Sequence, residues 1–130
     1  MSSHSSSSYQ SDALRTLSRQ FHIGNGSDEG AVSPELLHGA IGLATEAGEL
    51  LDAIKRALYY GGTLDKPNLV EELGDLEWYM AVIRDALGVD QEEVQRINIA
   101  KLRARYPEKF TREEAYNRDL DRERKIVERG

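Results

Sequence analysis

Leu69, Leu73, Leu76, Met80, Ile83 and Leu87 follow one another at spacings of four, three, four, three and four. That period gathers on one side of an α-helix, whereas a strand alternates its side chains every second residue. A stripe this regular predicts a helix over 68–87 that packs along another helix. Its ends are punctuated: Asp65 and Pro67 open it and Gly88 closes it. The partner lies upstream. Ser33 followed by Pro34 is an N-cap with proline at the first helical position, and Gly61-Gly62 is a stop. Between them Leu43, Ala47, Leu50, Ala53, Ile54 and Ala57 form a broad apolar stripe, which predicts a helix over 34–60. Gly39, Gly42 and Gly48 weaken that helix in isolation, so a close approach of another backbone is expected there.

The rest of the chain is also helical in pattern. Leu14, Leu17 and Phe21 predict a first helix over 9–21, and Gly24, Gly26, Gly30 and Pro34 make the following stretch a loop. Asp90 with Glu93 is a capping box for a fourth helix over 91–106, ended by Pro107. Thr111 with Glu114 is another, opening a charged tail helix that runs to about residue 128. Its few apolar residues, Leu120, Ile126 and Val127, predict a segment that frays or docks on a partner subunit. No strand signal is present. The expected organisation is a serine-rich disordered leader at 1–8, an all-α domain of four to five helices at 9–110, and a charged C-terminal helix at 111–130. His4, in the leader, carries no functional weight.

Composition narrows the chemistry. A chain of 130 residues is one domain with room for a core. It has no cysteine, which excludes disulfides, thiolate metal sites and cysteine nucleophiles. The net charge of −6 argues against a general nucleic-acid binder. The apolar residues are periodic rather than continuous, so no membrane span and a cytoplasmic location are expected. Neither a Walker-type phosphate loop nor a dinucleotide fingerprint occurs.

The two long helices share an oddity. Glu46, Glu49 and Asp52 fall on successive turns of one, and Glu72 and Asp75 lie about 60° and 120° from the centre of the leucine stripe of the other. Acids three apart on a helix repel by a few tenths of a kcal/mol, and a carboxylate at the edge of a core needs a partner. In an antiparallel pair Glu46, Glu49, Glu72 and Asp75 can converge, and four carboxylates on one patch cannot all stay ionised without cations. An oxygen-only ligand set suits Mg²⁺, with Mn²⁺ as a substitute. A di-iron bundle would need histidines three residues after glutamates, and neither His22 nor His38 is so placed. Against the metal stands a simpler possibility, a solvated acidic face in a chain with 23 acidic residues. Lys55 and Arg56 are expected to pair with Asp52 or Glu49, and Asp52 could orient water beside the ligands.

"GLATEAGELLDAIKR" and, after 22 residues from Glu49, "EELGDLEWY" resemble the MazG-type nucleotide pyrophosphohydrolases, whose signature is E-x-x-E, a spacer, then E-x-x-D. The resemblance takes in "YQSDALRT", "NIAKLRARYPEKF" and "NRDLDRER", and is to the short phage and bacterial members. It implies an oligomeric all-α enzyme that converts nucleoside triphosphates to monophosphate and pyrophosphate with Mg²⁺ held by Glu46, Glu49, Glu72 and Asp75. Glu49 is the expected base. Asn98 and Lys101 match the stretch that borders the triphosphate, where cations offset charge on the leaving pyrophosphate. Arg105, one turn on, could act with Lys101, or both could simply complement the end of their helix. Gln10 and Arg15 match the first-helix pattern and could touch the nucleotide. Trp78 and Val82 lie opposite the leucine stripe and predict a subunit interface, in a homodimer or a dimer of dimers. Two rivals remain: a substrate-restricted relative acting on dUTP, dCTP or phosphoribosyl-ATP, and a non-catalytic helical interaction module.

Overall fold

The computed structural model describes residues 8–24 and 30–130, so the serine-rich leader to residue 7 and Gly26 lie outside the described residues. Among the described residues six helices follow one another: α1 Tyr9–Leu14, α2 Pro34–Tyr60, α3 Lys66–Leu87, α4 Gln91–Arg105, α5 Arg112–Tyr116 and α6 Leu120–Arg129. Among the described residues the only β-pairing is an isolated bridge between Ile23 and Val32.

The punctuation works as the residues dictate. Ser33, Asp65, Asp90 and Thr111 each accept a hydrogen bond through the side chain from the backbone N–H three residues on, satisfying a donor that the first helical turn leaves unpaired. Gly61 and Gly88 end α2 and α3 in the left-handed region, at φ +72° and +69°.

α2 and α3 form an antiparallel hairpin, and α4 and α6 form a second antiparallel pair. The hairpin crosses closely because α2 offers no side chain at two points. Ile83 lies over Gly39, and the ring of Tyr79 lies so close over Gly42 that a Cβ would run into it. Gly48, by contrast, faces open space, so the close approach expected at that glycine does not occur. In the second pair Arg105 meets Glu123 at one end, and Arg96 Nη2 donates to the carbonyl of Gly130 at 2.9 Å at the other.

Three further expectations need correction. The first helix stops at Leu14 rather than Phe21. Leu17 and Phe21 remain exposed, and so short a helix is not sustained without a surface to pack on. The tail is two helices rather than one, broken at Asn117–Asp119, where Asp119 caps a new start. It folds back on α4 of its own chain instead of fraying. Finally, the leucine stripe does not close a core within the chain. No apolar side chain is buried among the described residues, and Leu73 and Leu87 are 52% and 59% exposed.

Candidate metal centre

The antiparallel register of the hairpin brings acids from both helices together. Glu46 on α2 and Glu72 and Asp75 on α3 each place a carboxylate oxygen within 4.8 Å of the others. Glu46 and Glu72 are half-buried and Asp75 is exposed, which leaves one side of the group open. No lysine or arginine forms an ion pair with any of the three among the described residues. Glu72 Oε2 is buried and has no hydrogen-bond partner among them. Its pKa is raised, first by desolvation, then by contact with the Glu46 carboxylate, with the charges of Glu46, Asp75 and Glu49 adding to the effect.

Glu49 stands one turn along α2 from Glu46, outside the group of three. It lines a cavity of 220 Å³ together with Glu72, Asp52, Arg56 and Asn68. The geometry therefore gathers three of the four acids and sets the fourth beside them. Asp52 is held by Lys55 Nζ at 3.6 Å and Arg56 Nε at 2.9 Å, as the spacing predicts.

The group suits a hard divalent cation by an observation of its own. Three carboxylates converge without a counter-charge, and one of their oxygens is buried with its acceptor capacity unused. Glu114 Oε2 is also buried without a hydrogen-bond partner among the described residues. It differs in its surroundings: it lines a 310 Å³ cavity that Arg105, Arg118 and Arg122 also line, so cationic side chains already neighbour it.

A profile of the MazG nucleotide pyrophosphohydrolase domain matches residues 38–110, more than half of the chain and all of the acidic centre. The chain belongs to the MazG family. The family's members are nucleotide pyrophosphohydrolases, which assigns the chain to a hydrolase family that typically uses a divalent metal. No curated protein and no solved structure matches the chain. No described helix is long and apolar enough to cross a membrane.

The remaining candidates of this MazG chain lie elsewhere. Lys101 is half-buried on α4, between Ile97, which touches the chain's last residue, and Arg105, which is bound to α6. Asn98, also on α4, is exposed. Gln10 and Arg15 are exposed on and just after α1, with Arg15 Nε 4.0 Å from Asp12. His38 meets Trp78 and Tyr79 edge-on, at ring-centroid distances of 6.3 and 5.8 Å.

Arg105 has an engagement that the spacing with Lys101 does not reveal. Its Nε and Nη2 donate to both carboxylate oxygens of Glu123 at 2.7 and 3.0 Å. Arg118 Nη2 donates to the same carboxylate at 2.7 Å. The two guanidiniums hold Glu123 down to a pKa of about 2, and Arg105 is held above its ordinary value by the carboxylate. Glu123 is the one buried charged residue among the described residues. A signal for it existed: Glu123 falls within the short apolar stripe of Leu120, Ile126 and Val127, where an acid needs a partner.

Proposed function

We propose that the protein is a Mg²⁺-dependent nucleoside triphosphate pyrophosphohydrolase that releases monophosphate and pyrophosphate. The observation that carries this reading is the uncompensated trio Glu46, Glu72 and Asp75 in a chain of the MazG family. Glu46, Glu72 and Asp75, with Glu49 beside them, are the residues that would hold Mg²⁺, or Mn²⁺ in its place. When bound, the cation offsets triphosphate charge and lowers the pKa of water at the site. Glu49, on the rim of the adjoining cavity, accepts a proton from the attacking water. The new oxygen–phosphorus bond forms as the anhydride between the α- and β-phosphates breaks, and pyrophosphate leaves. Lys101, with Asn98 beside it, is the cation assigned to the leaving group. Arg105 serves this indirectly, because its bond to Glu123 secures the helix that carries both.

The open apolar faces support assembly. A hairpin with no buried apolar side chain and a Trp78 that is 57% exposed fits a homodimer or dimer of dimers in which a second copy completes the core. Sedimentation velocity reads this directly: Trp78→Ala should shift the protein toward smaller species, and an unchanged oligomer would place Trp78 outside the interface. For the reaction, a panel of (d)NTPs incubated with Mg²⁺ should yield (d)NMP and pyrophosphate, and EDTA should stop it. Orthophosphate with NDP as the first products, or undiminished turnover in EDTA, would overturn the reading.

A further inference from the structure

The centre opens in one direction onto a trough that extends beyond its carboxylates. The 220 Å³ cavity beside Glu72 runs into a second, of 380 Å³, toward the hairpin turn, and the two share Ala53, Arg56 and Asn68. Along this path the lining changes. At the centre it carries Glu49, Asp52 and Glu72; toward the turn it carries Ala57, Tyr60 and Thr63. The one carboxylate of the far cavity, Asp65, already caps α3 by accepting from the N–H of Asn68 at 3.2 Å.

On this gradient, and resting on the pyrophosphohydrolase reading, we propose that the nucleoside half of the substrate lies in the trough, with Asn68 as the residue that discriminates its base. Triphosphate with its cations belongs at the acidic end, and an uncharged ring system at the other. The far cavity, at 380 Å³, is of the size that small-molecule sites occupy. Arg56 forms one wall. Asp52 grips its Nε at 2.9 Å, which restrains the planar guanidinium and leaves a face on which a base can stack. Asn68 faces it from α3, exactly one turn before Glu72. Its backbone N–H is used by the cap, but its side-chain amide has no hydrogen bond among the described residues. That amide offers an acceptor and two donors in one plane, the pattern that pairs with a base edge. The opposite end of the hairpin is less suited, because His38, Trp78 and Tyr79 already meet one another edge to face.

Calorimetry with non-hydrolysable α,β-methylene nucleotides of each base and Mg²⁺ tests this apart from turnover. Asn68→Ala should weaken the preferred nucleotide at least tenfold and level the differences among bases, while inorganic tripolyphosphate binds as it does to the wild type. Asn68→Asp, which keeps size and removes the amide donors, should reorder the bases, and circular dichroism should show both variants folded. Unchanged nucleotide affinity and ranking overturn the proposal. So does an equal loss for tripolyphosphate, which would assign Asn68 to the phosphates, or a re-ranking by His38→Ala instead. A wild type that binds these analogues but hydrolyses none of the corresponding (d)NTPs refutes the catalytic reading and leaves the trough standing; one that binds none refutes both.

Discussion

Glu72 and Glu123 are both carboxylates shielded from water, yet the protein treats them oppositely. Glu123, on α6, is gripped by Arg105 and Arg118 and titrates far below the ordinary range. Glu72, on α3, faces Glu46 and Asp75, retains a buried oxygen with no hydrogen bond among the described residues, and titrates above it. The chain has guanidiniums to spare and places two of them on the tail acid. A carboxylate with a structural task brings its counter-charges within the fold. One whose counter-charge arrives as a ligand leaves that place open, at a standing electrostatic cost to the ligand-free protein.

The contrast is broken most severely by neutralising each acid in turn. Glu72→Gln should lower turnover by at least about a hundredfold, since even supporting residues around a metal site can cost that much. The same variant should melt at the same or a higher temperature than the wild type in EDTA, because it removes a repulsion. A lower melting temperature would mean that Glu72 has a structural partner. Glu123→Gln should do the reverse. It leaves two guanidiniums without their carboxylate, so the melting temperature should fall by several degrees and α6 should become open to proteolysis. Binding of Mg²⁺ at the hairpin should persist. Loss of the cation along with α6 would show that the two helix pairs depend on each other.

Acid sharpens the comparison by a smaller margin. Glu123 has its pKa lowered from 4.5 to about 2 on folding, so between those values the unfolded chain binds more protons than the folded one. The contribution of the clasp is complete above about 4.5 and is lost as pH falls through about 2. Proteolytic release of α6 should rise over that window in the wild type. In Glu123→Gln it should already be high and change less. A flat wild-type profile would remove the clasp from the stability of the tail.

Much of this was legible in the residues. Caps at Ser33, Asp65, Asp90 and Thr111 and the glycines at 61 and 88 act locally, so α2, α3 and α4 begin and end close to where their punctuation stands. The acidic trio follows from two helical periods and an antiparallel register, and both are written in the spacing of Glu46, Glu72 and Asp75. What spacing could not supply is contact across the fold. Arg105 reads as a companion of Lys101 along α4, and only the return of α6 reveals Glu123 against it. Spacing overstates the length of α1 because Leu17 and Phe21 recur at helical intervals but have no surface to cover. Nothing in the spacing singles out Asn68, because only the packing of α3 on α2 sets it with Arg56 in the lining of both cavities.

The central claim, that the open carboxylate group on the hairpin is a divalent-cation site, is tested most directly by calorimetric titration of Mn²⁺ into metal-free wild type and Glu72→Gln, with no nucleotide present. The account predicts saturable binding to the wild type and its loss in the variant, with the wild type alone stabilised by the ion as mass action requires. Equal binding to both proteins, or none to the wild type, would contradict it.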